Sequence, residues 1–356
     1  MIEISDPQEA SPLTDDILFE QRGFAGVVTL NRPKALNALN HPMVTALTAK
    51  LTEWAGDDSI RHVVLIGAGE KAFCAGGDIR KIYDMKRAGE TGLPEFFRDE
   101  YLLNAQIKAF PKPYISLIDG IVMGGGVGLS AHGSHRVGTE FTMFAMPETG
   151  IGFFPDVGGT FFLPRMPRFT GTYCAMSAGR LKQADAYETG VLTHTIHRDS
   201  VEPLLKALET TDDVDAAIEA CAVDAGASEL MKQADLIEAA FSAGSVSAIM
   251  DRLDASGDEF AAKTAAAIRS KSPTSVHLAF EQMRRGASLD FNGCMKLEYR
   301  IVSQVLQGHD FFEGVRAVLV DKDHAPKWQP DQLDQVDSAD LQAYFEEPST
   351  GDLPLT

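Results

Sequence analysis

Short apolar segments alternate with longer amphipathic segments in the first half of the chain. This pattern predicts strands at residues 17–20, 25–30, 63–67, 114–118, 136–138 and 141–145. The segment at 63–67 is apolar throughout and that at 114–118 is mostly apolar, which is typical of parallel strands buried on both faces. Helices are predicted at 40–54 and 94–110, and glycine-rich loops follow the apolar strands. The alternation indicates an α/β fold with right-handed crossovers.

The pattern changes after Asp156, where the chain becomes mainly helical. Residues 200–270 are rich in Ala, Asp and Glu, with Leu, Ile and Met recurring at helical spacing. Further helices are predicted at 273–306 and at 311–322. The predicted organisation is a polar N-terminal tail at 1–14, a catalytic core at 15–195, and a helical C-terminal region at 196–356 that packs on the core.

Charge and composition limit the possible partners of this 356-residue chain. Its net charge of -19 argues against nucleic acid and against an anionic membrane surface, since both would repel it. No apolar run is as long as a transmembrane helix, and the N-terminus lacks the features of a secretory or transit peptide. The four cysteines are widely spaced, so free thiols and a cytoplasmic location are expected. His132 and His135 have no partner at matching spacing, so no metal is expected.

The segment at 146–159 is the first candidate for chemistry. It holds Glu148 and Asp156 among two prolines, four glycines and bulky apolar residues. Such surroundings desolvate a carboxylate and raise its pKa, which suits acid/base or nucleophilic work near neutral pH. Alternatively, Glu148 closes a turn and Asp156 begins a helix. This segment alone leaves both interpretations open.

Two glycine-rich loops, at 73–80 and 120–129, follow the apolar strands predicted at 63–67 and 114–118. Neither has the lysine and hydroxyl residue of a phosphate loop or the full dinucleotide-binding spacing. Glycine allows a backbone N–H to approach a ligand without an intervening side chain. One N–H from each loop could therefore bind a single oxygen, as in the oxyanion hole of acyl-transfer enzymes. Either loop alone could equally serve tight packing between helix and sheet.

Three signatures in this order resemble the crotonase superfamily, also known as the enoyl-CoA hydratase/isomerase family. They are Leu-Asn-Arg-Pro-Lys-Ala-Leu-Asn-Ala-Leu at 30–39, Phe-Cys-Ala-Gly-Gly-Asp at 73–78 and the glycine triplet at 124–126. The resemblance implies a spiral of ββα units that binds an acyl-coenzyme A thioester, with no separate cofactor. It also implies an oxyanion hole made by the N–H groups of Ala75 or Gly76 and of Gly125. Superfamily members often form homo-oligomers, so a homo-oligomer is possible.

The carboxylates differ from those of the hydratases in this superfamily. Hydratases use two glutamates, and the positions that match them hold Gly128 and Glu148. Asp156 stands where hydratases commonly have glycine. This pattern resembles the 3-hydroxyisobutyryl-CoA hydrolases, thioesterases of valine breakdown, and the likeness extends to residues 96–104, 145–164 and 308–317.

The resemblance to these hydrolases implies roles for four residues. Glu100, Gly125, Glu148 and Asp156 would line the substrate site. Glu148 would act as general base or as nucleophile towards the thioester. Asp156, with Glu100, would hold the substrate hydroxyl or position Glu148 and the water. Arg32 and Lys34 could meet the coenzyme A phosphates or could simply be solvated.

Two other functions stay open at this point. The chain could be a hydratase or isomerase: Gly128 argues against a hydratase, but an isomerase needs one base, which Glu148 would supply. It could also be a catalytically idle acyl-CoA-binding protein, although such a protein is expected to lack Glu148. Cys74 lies beside the first glycine loop, and a packed thiol is expected there because no partner histidine is evident.

Overall fold

The computed structural model describes residues 14–90 and 93–355, so only Thr14 of the expected N-terminal tail lies within the described residues. Strands in these ranges form two sheets. The larger sheet contains, in spatial order, β1 (Ile17–Arg22), β2 (Ala25–Leu30), β3 (His62–Gly67), β5 (Tyr114–Ile118), β7 (His135–Gly138) and β10 (His194–Thr195). The smaller sheet contains β4 (Ala72–Cys74), β6 (Ile121–Met123), β8 (Met143–Ala145) and β9 (Arg180–Lys182).

The chain alternates between the two sheets. Strands β3, β5 and β7 of the larger sheet are each followed by a short strand of the smaller sheet, respectively β4, β6 and β8. All neighbours from β2 to β10 in the larger sheet are parallel, and so are β4, β6 and β8; only β1 and β9 pair antiparallel. This is the repeating ββα arrangement that the resemblance implied, within the α/β class that the alternation predicted.

Helices follow the strands and fill the C-terminal half. In the core they are α1 (His41–Gly56), α2 (Ile79–Arg87), α3 (Leu93–Lys108), α4 (Gly125–Ser130), α5 (Gly159–Phe162), α6 (Thr170–Ser177) and α7 (Gln183–Glu188). In the C-terminal region they are α8 (Val201–Leu208), α9 (Val214–Glu219), α10 (Ala234–Phe241), α11 (Val246–Ala255), α12 (Glu259–Arg269), α13 (Pro273–Gly286), α14 (Phe291–Val305), α15 (Asp310–Val315) and α16 (Ser338–Ala343). In the part of the chain that the structure describes, no helix is long and apolar enough to span a membrane.

Side-chain caps determine where several of these helices begin. Asn40 precedes α1, and its side-chain oxygen accepts a hydrogen bond from the Met43 N–H at 3.0 Å. Ser272 and Asp290 cap α13 and α14 in the same way. The single helix predicted at 311–322 is instead α15 followed by a π-helical turn, Arg316–Val320. The Arg316 side chain bonds Glu313, Asp321 and Asp323 across this turn.

The central strands β2, β3 and β5 of the larger sheet are buried on both faces. On one face, side chains such as Val64 and Leu117 pack on α8 and α9 in a cluster with Leu204 and Ile218. The neighbouring residues on the same strands point to the opposite face, because successive side chains alternate across a strand. The apolar ones among them belong to a second hydrophobic cluster. That second cluster runs from Ile17 to Leu353, so the predicted core and C-terminal region share one hydrophobic interior.

Burial of the thiols predicts which cysteine reacts. Cys74, Cys174 and Cys294 are fully buried, and burial raises the pKa of each thiol to about 12, whereas Cys221 is partly exposed. We expect an alkylating reagent at neutral pH to label Cys221 in the native protein and all four cysteines in denaturant, measured by mass spectrometry of peptides. Labelling of native Cys74 as fast as Cys221 would contradict its packing.

Candidate active site

Three parallel strands of the smaller sheet end beside one cavity of about 210 Å³. The loop after β4 contributes residues 75–77, and the loop after β6 contributes Gly124 and Gly125. After β8 comes Glu148, the first residue of a 3-10 turn, Glu148–Ile151. Ligands of α/β proteins commonly bind at the carboxyl ends of parallel strands. The sheet therefore brings two glycine loops and one carboxylate to a single place.

The four residues that the resemblance assigned to the substrate site, Glu100, Gly125, Glu148 and Asp156, all line this cavity. Glu100 comes from α3, and Asp156 comes from the loop before α5. The other lining side chains are apolar: Ile79, Phe96, Phe97, Met123, Pro147, Ile151, Phe153, Val318 and Leu319. The last two belong to the π-helical turn, so the C-terminal region supplies part of the wall.

Two carboxylates flank the backbone at Gly124 and Gly125. A Cβ on Gly124 would lie 3.0 Å from Glu148 Oε1, and a Cβ on Gly125 would lie 2.7 Å from Glu100 Oε1. Gly124 also has φ +47°, in the region that glycine adopts most readily. A larger residue at either position would collide with a carboxylate, so the glycines allow backbone and acids to share the cavity.

The backbone donor from the first glycine loop is not at Ala75. The Ala75 N–H donates to the Leu36 carbonyl at 3.0 Å, so the prediction that it faces the ligand is wrong. Gly76 turns the chain with φ +117°. Beyond that turn, the backbone nitrogen of Gly77 lies 3.3 Å from the point that a Cβ on Gly125 would occupy, so the two glycines are close neighbours.

Gly77 therefore replaces Ala75 in the candidate oxyanion pair. Gly77 and Leu39 form a parallel β-bridge, in which the Leu39 N–H donates to the Gly76 carbonyl and the Asp78 N–H donates to the Leu39 carbonyl. The N–H of Gly77 takes no part in this bridge and points away from Leu39. Gly125 is the first residue of α4, where helical N–H groups have no partner within the helix. Gly77 and Gly125 thus bring two N–H groups from neighbouring loops to the same cavity.

The acids of the site are buried together. Glu100, Glu148 and Asp156 are each at most 6% exposed, and Glu298 on α14 is fully buried nearby. Burial raises the pKa of Glu148 and of Glu100 well above the usual value, and the charge of Asp156 raises both further. Burial raises the pKa of Asp156 to about 7. All three carboxyl groups therefore hold their protons to higher pH than a solvated acid does.

Asp156 and Glu148 differ in their hydrogen bonding. The Tyr101 hydroxyl donates to Asp156 Oδ2 at 2.9 Å, which opposes the rise in the Asp156 pKa. Glu148 Oε2 and Glu100 Oε1 have no hydrogen-bond partner among the described residues. Asp156 is thus held in place, whereas Glu148 keeps an oxygen available for chemistry.

No room exists at Gly128 for the second glutamate of a hydratase. A Cβ there would lie 2.7 Å from Val157 Cβ and 2.8 Å from Asn104 Nδ2. Val157 and Asn104 are both buried, so neither side chain can move into solvent. Packed side chains therefore occupy the space that the second glutamate of a hydratase would need.

Other candidates from the sequence have structural roles. His132 Nε2 donates to the Val157 carbonyl at 2.7 Å, and His135 pairs with Asp215 at 2.9 Å. Across residues 14–90 and 93–355, no group of histidine, cysteine and acidic side chains could hold a metal ion. Arg32 bonds Asp78 at 3.0 Å, whereas Lys34 borders a separate groove with Lys71.

Three residues of the site were missed by sequence reasoning. Gly77 sits in a predicted motif, but hydrogen-bond directions decide its role. Tyr101 follows Glu100 directly, and its burial beside Asp156 is visible only in the fold. Glu298 lies far along the chain in a helix whose pattern predicted only packing. Its spacing of three or four residues from Met295, Cys294, Ile301 and Val302 places it on the buried face of that helix, but nothing in the sequence identifies its partners.

Comparisons with known proteins agree with this geometry. The sequence matches the enoyl-CoA hydratase/isomerase family over residues 25–345. A protein of Danio rerio named "3-hydroxyisobutyryl-CoA hydrolase, mitochondrial" is 45% identical, over 97% of this chain and 93% of its own length. Its Homo sapiens counterpart of the same name is 42% identical, over 95% of this chain and 90% of its own.

Two solved structures resemble the whole chain. A carnitinyl-CoA dehydratase from Mycobacterium thermoresistibile is 42% identical with a TM-score of 0.91, covering 95% of this chain and 98% of its own. An enoyl-CoA hydratase from Rhodobacter sphaeroides is 35% identical with a TM-score of 0.90, covering 96% of this chain and all of its own. Family match, relatives and fold agree, so the chain belongs to the enoyl-CoA hydratase/isomerase family, the crotonase superfamily.

Proposed function

We propose that the protein hydrolyses the thioester of 3-hydroxyisobutyryl-CoA to 3-hydroxyisobutyrate and coenzyme A, as in valine breakdown. The observation that carries the proposal is the buried carboxylate of Glu148, which has an oxygen without a hydrogen-bond partner among the described residues and lines the same cavity as Gly77 and Gly125. The names of relatives that are more than 40% identical over nearly their whole length support the same reaction.

The reaction needs a base and a site for negative charge. Ionised Glu148 takes a proton from water, and the resulting hydroxide adds to the thioester carbon. The Gly77 and Gly125 N–H groups stabilise the oxyanion that forms, a donor of this kind being worth about 3 kcal/mol. The tetrahedral state then expels coenzyme A as a thiolate, which recovers the proton from Glu148.

A second route uses the same residues. Glu148 attacks the thioester carbon directly, coenzyme A leaves as a thiolate, and water opens the mixed anhydride to give the acid and restore the carboxylate. Hydrolysis for a single turnover in ¹⁸O-labelled water tells the two apart, provided that water opens the anhydride at the Glu148 carbon. Label then enters Glu148 only by the anhydride route.

Asp156 gives the site its preference for a hydroxylated acyl group. Its carboxylate is held by Tyr101 and lines a small cavity whose other side chains are apolar except for Glu100 and Glu148. The substrate hydroxyl would donate to Asp156, and an acyl group without that hydroxyl would leave a buried acceptor unpaired. Val318 and Leu319 close the apolar side of the cavity, which suits a short branched chain.

The charged part of coenzyme A would lie outside the cavity. A groove of about 540 Å³ borders the start of β4 and includes Lys34 and Lys71. These lysines would neutralise phosphate charge on a protein that is otherwise strongly acidic. Arg32 is less suitable because Asp16 and Asp78 already pair with it.

A direct assay tests the proposed function. Release of free thiol from 3-hydroxyisobutyryl-CoA is followed with a thiol reagent, and the double-bond shift of an enoyl-CoA is followed in parallel. Thiol release without double-bond chemistry supports the hydrolase. No release together with a double-bond shift would establish an isomerase, since Glu148 alone supplies the base that an isomerase needs.

Replacing the base should abolish most turnover. We expect Glu148→Gln to lower kcat for thiol release by at least about 100-fold, since general-base loss costs roughly that much. Lys34→Gln is the matched control, because it removes a charge from the coenzyme A groove and should raise KM with kcat little changed. A near-wild-type kcat in Glu148→Gln would remove this residue from the chemistry.

Replacing Asp156 should reduce selectivity. We expect Asp156→Asn to lower the ratio of kcat/KM for 3-hydroxyisobutyryl-CoA over isobutyryl-CoA by at least about tenfold, since hydrogen-bonded sites reject analogues that lack the hydroxyl. Tyr101→Phe, which removes the hydroxyl that holds Asp156, should have a smaller effect in the same direction. If neither variant changes the ratio, Asp156 does not contact the acyl group.

The raised pKa values predict an acid-sensitive enzyme. Glu148 must be ionised to act, and burial raises its pKa well above the usual value, so acid protonates it and removes activity. We expect kcat/KM to rise with pH, and the ionisation of Asp156, whose pKa burial raises to about 7, to contribute to that rise because the ionised carboxylate accepts the substrate hydroxyl. Circular dichroism at each pH checks that the protein stays folded. A profile that is already flat at about pH 5, near the ordinary pKa of a glutamate, would contradict the desolvated site.

Two further expectations stay predictions. A cytoplasmic location was expected from the sequence, whereas the names of the two relatives place those proteins in mitochondria. A homo-oligomer was expected as possible, and size-exclusion chromatography with light scattering would establish the state.

A further inference from the structure

The loop that carries Asp156 has a backbone conformation that needs support. Val157 has φ +50° and Gly158 has φ +87°, both in the left-handed region. A β-branched residue such as valine is strained there, and such strain persists only where the surroundings hold it. The neighbours of residues 155–160 should therefore include groups that hold this backbone.

Glu298 is one of those groups. It lies on α14, is fully buried, and uses both carboxylate oxygens on the loop. Oε2 accepts a hydrogen bond from the Gly158 N–H at 2.8 Å, and Oε1 accepts one from the Thr160 N–H at 2.9 Å. One side chain thus ties the C-terminal region to the backbone that follows Asp156.

Gln282 and His132 hold the same loop from other sides. Gln282 on α13 is fully buried, and its Nε2 donates to the Pro155 carbonyl and to Thr160 Oγ1. His132 Nε2 donates to the Val157 carbonyl, and burial lowers the His132 pKa to about 4, which keeps the ring neutral. The residues before and after Asp156 are therefore both fixed by buried side chains.

Burying a glutamate side chain has a desolvation cost that an apolar side chain of similar size does not have. Removing a carboxylate from water costs several kcal/mol unless hydrogen bonds compensate, and an apolar residue would pack at this position without that cost. Glu298 accepts from the two N–H groups of the loop, and the Thr160 side chain also hydrogen-bonds it. A role in the geometry of the loop accounts for keeping the carboxylate.

We propose that Glu298, assisted by Gln282, is a positioning residue that holds Asp156 in the geometry needed to select the hydroxylated substrate. This inference rests on the proposed function. It makes the C-terminal helices part of the catalytic machinery, since α13 and α14 determine where a core residue stands.

The test compares selectivity, which does not depend on how much of a variant is folded. We expect Glu298→Gln to lower the kcat/KM ratio of 3-hydroxyisobutyryl-CoA over isobutyryl-CoA by at least about fivefold, because an amide can accept from only one of the two N–H groups. The Asp156→Asn, Glu298→Gln double variant should lose little beyond Asp156→Asn alone, since coupled residues are not additive. Gln282→Leu should act in the same direction as Glu298→Gln.

Met295→Ala is the matched control. Met295 is fully buried on the same helix, and it makes no hydrogen bond to the loop through its side chain. This variant should lower Tm, as a cavity does, while leaving the selectivity ratio unchanged. A ratio that falls equally in Met295→Ala and Glu298→Gln would reduce Glu298 to a packing role and overturn the proposal.

Hydrogen exchange gives a readout that does not require turnover. The Gly158 and Thr160 amides should lose protection in Glu298→Gln and keep it in Met295→Ala relative to neighbouring segments. If the wild type releases thiol but the ratio is unchanged in both Glu298→Gln and Gln282→Leu, the positioning role fails and the proposed function stands. If the wild type releases no thiol, the proposed function fails, and unchanged protection would overturn the anchoring as well.

Discussion

The close approach of the backbone at the glycine triplet is the constraint on which the site depends. Cβ atoms on Gly124 and Gly125 would collide with Glu148 and Glu100, and one on Gly126 would lie 2.3 Å from the Cys74 carbonyl oxygen. The glycines therefore allow the start of α4, directly after β6, to lie against Cys74 and the two carboxylates, with the N–H of Gly125 at the cavity. Side chains in the triplet would separate the donors from the carboxylates.

Desolvation then decides what the acids do. Three buried carboxyl groups line the cavity, a fourth, Glu298, is buried against the loop that carries Asp156, and burial raises the pKa of each. Their differences arise from their partners. Asp156 accepts a hydrogen bond from Tyr101, and Glu298 accepts hydrogen bonds from two backbone N–H groups. Glu148, in contrast, has an oxygen without a partner among the described residues. The four carboxyl groups thus share burial but differ in their hydrogen-bond partners.

The C-terminal helices complete the site and are not an appended module. Val318 and Leu319 form part of the cavity wall, while Glu298 and Gln282 bond the loop that carries Asp156. Buried residues from both regions form one interior. The predicted division at residue 195 therefore follows the change in sequence pattern but does not separate two independent cores.

Much of the protein follows from the sequence by itself. The sequence pattern predicted β1, β2, β3, β5 and β7 of the larger sheet, but not the two-residue strand β10. Glu148, Asp156, Glu100 and Gly125 were proposed as site residues through family signatures. The three-residue strands β4 and β6 were not predicted, since so short a segment carries no periodicity.

Only the tertiary structure decided the remaining features of the site. Whether Ala75 or Gly77 presents its N–H depends on the turn at Gly76 and on the pairing with Leu39, which are not local properties of the sequence. The contact of Glu298 with the Asp156 loop joins residues far apart in the chain, and a helical pattern shows only that a position is buried. Sequence determined which residues were available, and folding determined which atoms of those residues meet.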